Sequence, residues 1–379
     1  MTQTKPNSLY LLIIFTLFTS FFGCSCCCTC NKHVHGAETS GMFVFGSSLV
    51  DNGNNNYVEN STARADYLPY GIDFPLGPSG RFTNGKNVID TLGKLLKLPF
   101  FIPVFANPET RGVKIVHGVN YASGGSGILD ETGSISGRVI SLNQQIRNFE
   151  EVSLPSLGPV LGCENATILA QALADYLFVM GSGGNDYLMN YFLPTSIHKS
   201  SLEDFTTNLI AELSNQIKKL HQLGARKFVL ISIYPLGCIP VVKAKFPQIE
   251  GCIETLNQAA SLFNSHLKSL VDLIKPELPN SNLVYLDSYD VIRDIIQDPV
   301  PKGFTETSKA CCEVSLITEG GNGILCKRKG KTCAKRDSFV FFDGLHPTEA
   351  VNNLIAMNGY AFNLKTEAYP FNVEQLAKL

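Results

Sequence analysis

The side chains with chemistry to offer lie near opposite ends of a chain of 379 residues. Early on, the apolar run Phe43-Val44-Phe45 stops at Gly46. Ser47, Ser48, Leu49, Val50 and Asp51 follow, then an Asn- and Gly-dominated stretch up to Asn56. In α/β proteins the C-terminal end of a buried strand presents reactive groups, so a serine there is a candidate nucleophile. Late in the chain stands Asp343-Gly344-Leu345-His346-Pro347. A serine hydroxyl attacks only if a base takes its proton and a third group orients that base. An Asp three residues before a His, on a turn held by Gly and Pro, supplies both from one loop. Either stretch alone is an ordinary polar turn; together they specify nucleophilic acyl chemistry, with Ser47 and Ser48 both open as the attacking group.

Elements able to position these groups follow from periodicity. Segment 67–82 carries Pro69, Gly71, Pro75, Gly77, Pro78 and Gly80 and is expected to be an irregular loop bordering the cleft. A helix is expected over 87–96, and a short strand over 118–122 running into Gly124-Gly125. The apolar run 175–180 predicts a buried strand delivering Gly183-Gly184-Asn185-Asp186. Leu202, Phe205, Leu209, Leu213, Ile217 and Leu220 recur at helical spacing, and Gly224 ends that helix. Strands at 228–233, 283–286 and 339–342 alternate with helices at 253–274 and, closing the chain, 347–362. Strand–helix alternation implies an α/β fold with a parallel sheet covered on both faces.

A formal net charge of −2 gives no electrostatic reason to propose nucleic acid as a partner. With 44% hydrophobic and 17% charged residues the chain is globular in composition. Lys5 followed by the apolar run 9–22 has the length of a signal-peptide core and is short for a membrane span. Residues 1–36 are therefore expected to be a leader, cleaved near 23–25 or 36–37, with one domain over 40–379 and no stable membrane insertion after cleavage. Palmitoylation or metal binding is the alternative for Cys24, Cys26, Cys27, Cys28 and Cys30; the leader reading discards them.

Seven cysteines then remain, and in an oxidising compartment most pair. Cys238 and Cys252 are expected partners. Cys311 and Cys312 pair with Cys326 and Cys333 in an order left open, and Cys163 is left as the odd thiol. Adjacent cysteines do not fit the spacing of a zinc site, so no metal is expected. Sequons at Asn60 and Asn165 fit a glycosylated, secreted surface. The chain contains no G-x-S-x-G elbow and no H-E-x-x-H, and its Ser, Asp, His order differs from the chymotrypsin and subtilisin orders. Residues 118–127 lack both G-x-G-x-x-G and the Walker lysine of phosphate-binding loops.

From about Met42 onward the sequence resembles the plant GDSL-type esterases and lipases of the SGNH hydrolase superfamily. Four ordered blocks carry the resemblance: Phe45-Gly46-Ser47-Ser48-Leu49 with Val50 to Asn55, Gly118 to Gly127, Gly183-Gly184-Asn185-Asp186-Tyr187, and Asp343 to Ala350. It implies a flavodoxin-like three-layer α/β/α sandwich with a mostly parallel central sheet. The family register puts the nucleophile on Ser48, with His346 as base and Asp343 orienting it. The oxyanion donors it implies are the N–H groups of Ser48 and Gly125 and the side chain of Asn185. No cofactor is needed, and the substrate is a small-molecule or lipid ester. Acyl transfer on the same residues, or a catalytically weak binding protein, are the alternatives. Where the family has Asp before the nucleophile, this chain has Ser47, which is no triad member and brings no charge. Phe342 stands where the family often has Trp.

Overall fold

The computed structural model describes residues 2, 37–193, 195–196, 200–361 and 367–379. The expected leader, its cleavage sites and its five cysteines lie outside the described residues.

Its central sheet is built from β1 (Gly41–Gly46), β2 (Tyr176–Gly181), β3 (Lys227–Ile231) and β4 (Asn282–Leu286), hydrogen-bonded in that order and all parallel. β5 (Glu306–Ala310) and β6 (Phe339–Phe341) form a separate parallel pair, and β7 (Ala368–Tyr369) joins the central sheet antiparallel to β4. Every residue of β1, β2 and β3 is buried, as a parallel sheet covered on both faces requires. Phe43, Phe45 and Phe228 crowd around Phe178 at ring-centroid separations of 5.3, 6.4 and 6.0 Å, fixing the register across three strands.

The expected strand over 118–122 lies along the free side of β1. Val44 N–H donates to the Val119 carbonyl (3.0 Å), Tyr121 N–H to the Val44 carbonyl (2.8 Å), and Ser123 N–H to the Gly46 carbonyl (3.0 Å). With this segment counted, the order across the sheet is that of the flavodoxin-like α/β folds, second segment outermost and first beside it. Strand order then reverses at β1, and the crevice at such a switch point is where these folds bind ligands.

The helix Leu202–Gln222 starts at Ser201, whose side chain accepts from the Asp204 N–H, and it buries Phe205, Leu209, Leu213, Ile217 and Leu220. It packs against the helix Glu254–Leu273. On the other side the helix Val88–Leu95, capped by Asn87, packs against Glu349–Ala361. That last helix begins two residues later than its Pro347 suggested. Nor does it close the chain, since β7 and the short helix Val373–Lys378 follow it. A helix over Ser288–Gln297 was missed because its run of apolar residues is short.

Among the described residues, disulfides join Cys238 to Cys252, Cys311 to Cys333 and Cys312 to Cys326, which resolves the open order. Cys163 is disulfide-bonded and is not the odd thiol. Among the described residues no helix is long and apolar enough to cross a membrane.

Candidate active site

The chain leaves β1 through a turn that only glycine accommodates. Gly46 has φ of 140°, and a Cβ there would stand 2.2 Å from the Gly181 carbonyl oxygen of the neighbouring strand. This close approach swings Ser47 and Ser48 over the end of the sheet. Ser47 is tied back to β2 by its N–H on the Gly181 carbonyl at 2.9 Å, while its hydroxyl reaches the same oxygen only at 3.5 Å. Ser48 is therefore the serine that faces the histidine. Its Oγ lies 2.8 Å from His346 Nε2, across 298 positions of sequence.

The opposing loop is held from inside. Asp343 Oδ1 accepts the backbone N–H groups of Leu345 (2.8 Å) and His346 (2.7 Å), and the Phe342 N–H donates to the His346 carbonyl at 2.8 Å. His346 Nδ1 then lies 2.8 Å from Asp343 Oδ2 and 3.0 Å from Oδ1. A carboxylate only accepts, so Nδ1 carries the proton and Nε2 is left to accept from the Ser48 hydroxyl. Asp343 is fully buried, and the ring of Phe82, from the irregular loop, covers the imidazole at 4.9 Å between centroids.

Gly125 and Asn185 line the same cleft as Ser48 and His346. Gly125 has φ of 86°, a left-handed conformation that keeps its backbone N–H unshielded by a side chain. Asn185 lies in the short helix Gly184–Asp186 after β2 and donates one amide hydrogen to the Ser126 carbonyl at 2.9 Å. That bond fixes the plane of the amide and leaves its second hydrogen for the cleft. All five predicted residues thus meet in one place. Two lobes extend from Ser48 and Asn185. One is lined by Leu188, Ile233, Tyr234 and Leu236, the other by Phe82, Met189, Ile324 and Leu325.

Sequence reasoning missed what fastens the donor loops. Asp51 Oδ1 accepts from the N–H groups of Gly53 (2.7 Å) and Asn54 (2.9 Å), and its Oδ2 from that of Gly124 at 3.0 Å. Asn55 donates to the Gly124 carbonyl, and Asn54 to those of Asn120 and Ala122. Asp186, beside Asn185, accepts from the N–H groups of Ile128 and Leu129 and from the Thr132 hydroxyl. The clustering of Asn and Asp was the available signal: such side chains satisfy loop backbone that forms neither helix nor sheet.

Burial pushes the carboxyls of Asp51 and Asp186 up to about 6, against the hydrogen bonds that pull them down. The folded state then holds these two protons more tightly than the unfolded chain does. Their stabilising contribution is present at low pH and is lost as pH rises toward 6. The carboxylates of Glu38, Asp73 and Glu306 are shifted the other way and titrate below their ordinary values, which are 4.5 for Glu and 3.8 for Asp. The half-buried His221 also opposes the trend. Unfolding free energy measured by denaturant titration at constant ionic strength is expected to fall by about 2 kcal/mol between pH 5 and 6.5. A rise over that interval contradicts the reading.

Other histidines are occupied elsewhere: His117 with the Ser40 carbonyl, His221 with the Pro279 carbonyl and His266 with Glu203. His198 lies outside the described residues. Asn60 and Asn165 are exposed, and the Asn165 side chain caps the helix Ala166–Leu173.

A family model described as GDSL-like lipase/acylhydrolase matches residues 42–358. The chain is 42% identical over 347 residues to GDSL esterase/lipase At5g08460 of Arabidopsis thaliana, covering 89% of this chain and 87% of that one. It is 39% identical over 346 residues to GDSL esterase/lipase At1g29670 of the same plant, covering 90% and 93%. GDSL esterase/lipase 7, also from Arabidopsis thaliana, is 39% identical over 350 residues, covering 91% and 94%. The match runs through every residue that forms the cleft, and the chain belongs to the GDSL-like lipase/acylhydrolase family of carboxylic ester hydrolases.

Proposed function

We propose that this enzyme cleaves carboxylic esters through an acyl-enzyme formed on Ser48. His346 takes the hydroxyl proton as Ser48 Oγ attacks the acyl carbon, then returns it to the departing alcohol. Asp343 keeps Nδ1 protonated and stabilises the imidazolium. Water, deprotonated by His346, releases the acid and restores Ser48. The N–H groups of Ser48 and Gly125 and the Asn185 amide hold the oxyanion of each tetrahedral intermediate, and the two lobes of the cleft take the acyl and alcohol parts. The observation that carries the reading is the 2.8 Å contact between Ser48 Oγ and His346 Nε2. A fluorophosphonate probe is expected to add one phosphonyl group, found by mass spectrometry on the Ser48 peptide. A folded protein labelled elsewhere, or not at all, contradicts the mechanism.

Because the base must be neutral to accept a proton, the rate is expected to fall on acidification. A flat profile from pH 5 to 8 opposes that role. Asn185→Ala removes one oxyanion donor and is expected to lower kcat about 10²- to 10³-fold with little change in KM. An effect confined to KM would assign Asn185 to substrate binding instead.

Secretion is part of the same proposal. The disulfides suit an oxidising compartment, and the exposed Asn60 and Asn165 are open to glycosylation. We take residues 40–379 as one domain, because Ser48 and His346 share a cleft.

A further inference from the structure

One side chain from the irregular segment reaches the back of the site without taking part in the mechanism above. Tyr70 is fully buried, edge-on to Tyr67, Phe82 and Phe342 at ring-centroid separations of 5.4, 6.2 and 5.7 Å. Its hydroxyl donates to Asp343 Oδ2 at 2.6 Å and accepts the Cys326 N–H at 3.0 Å. A phenol has one proton, and the bond received from Cys326 aims it at the carboxylate. Cys326 is joined to Cys312, whose N–H donates to the carbonyl of Phe342, the residue before Asp343. The acceptor, the donor and the group that aims the donor are thus fastened to one another.

Asp343 Oδ2 is also the oxygen 2.8 Å from His346 Nδ1. Two donors therefore draw on one oxygen, and charge given to the phenol is withdrawn from the imidazole.

We propose that Tyr70 is a positioning residue that tempers the base: its hydrogen bond to Asp343, aimed through the Cys312–Cys326 cross-link, limits how strongly the carboxylate holds the imidazolium. The proposal rests on the reading of Ser48, His346 and Asp343 as the triad. Burial and the adjacent carboxylate keep the Tyr70 proton in place far above neutral pH. The other titratable groups facing Asp343 are Tyr67 and Tyr234. Tyr67, pushed up to about 12 by burial, donates to the Cys326 carbonyl, and Tyr234 to the Leu345 carbonyl. Neither sends its proton to the carboxylate.

Without the phenol proton, Asp343 pulls harder on Nδ1, the imidazolium persists to higher pH, and the acid limb of the rate profile moves up. The test is kcat and kcat/KM on a p-nitrophenyl ester from pH 5 to 9, with active sites counted by fluorophosphonate labelling. Tyr70→Phe keeps the ring and is expected to raise the acid-limb midpoint by about half a pH unit at each labelled site. Tyr67→Phe deletes a hydroxyl bonded to the same cysteine residue and leaves the midpoint unmoved. Cys312→Ala with Cys326→Ala keeps Tyr70 but frees the group that aims it, and moves the midpoint upward by less. A Tyr70→Phe protein with fewer labelled sites but an unmoved or lowered midpoint overturns the proposal, because a role in stability alone predicts that result. Should Tyr70→Phe not fold, an unmoved midpoint in the folded double-cysteine variant overturns it equally. Activity that survives Ser48→Ala defeats the triad reading, and this inference with it, whereas Ser48→Ala inactive beside an unshifted Tyr70→Phe defeats the inference alone.

Discussion

Ser48→Ala is expected to lower kcat on an activated ester by roughly 10⁴- to 10⁶-fold while the protein melts close to the wild-type temperature. The large loss follows from the geometry: no other described hydroxyl lies within hydrogen-bonding distance of His346 Nε2. Ser47 cannot substitute, because its N–H is fixed to the Gly181 carbonyl and its hydroxyl leans toward that same strand. The small stability change follows because the Ser48 hydroxyl lines an open cleft and alanine retains the backbone. Activity near the wild-type level in Ser48→Ala would move the nucleophile elsewhere.

Asp343→Asn is the second large effect, expected at about 10⁴-fold in kcat. The native carboxylate accepts from the backbone N–H groups of Leu345 and His346, from the Tyr70 hydroxyl and from His346 Nδ1, and it donates to none of them. An amide has one oxygen, so its NH₂ must face a donor. With the oxygen kept on the two backbone N–H groups, the NH₂ meets Tyr70 and Nδ1. The imidazole is then driven to the tautomer with its proton on Nε2, where it can no longer accept from Ser48. Fluorophosphonate labelling of Ser48 should slow by a similar factor. Labelling at the wild-type rate would show that the orientation of His346 is set by something else, such as the ring of Phe82.

The site was legible where chemistry needs particular side chains in a particular order. Ser48, Asp343, His346, Gly125 and Asn185 stood in four separated blocks, and the sheet brings those blocks to one edge. The long amphipathic helix Leu202–Gln222 was equally plain, since its apolar residues repeat at the helical period. What escaped depended on contacts between distant residues. Tyr70 reads as one aromatic in a turn-rich loop, and nothing local marks it as a partner for a carboxylate 273 positions away. Asp51 and Asp186 look like solvated loop acids until the fold buries them among N–H groups. The order of the late disulfides could not be read because Cys311 and Cys312 are neighbours and either pairing closes loops of similar length. The end of the chain was misjudged because two-residue β7 is too short to leave a periodic signal.

The 298 positions between the hydroxyl and its base have a consequence during synthesis. A ribosome adding about 5–20 residues per second completes that interval in about 15–60 s. Throughout that time the emerging polypeptide carries the Ser48 hydroxyl without the imidazole that faces it in the folded protein. An ester-cleaving protein thereby stays inert until the segment that carries its histidine folds back, a form of latency that needs no removable inhibitor.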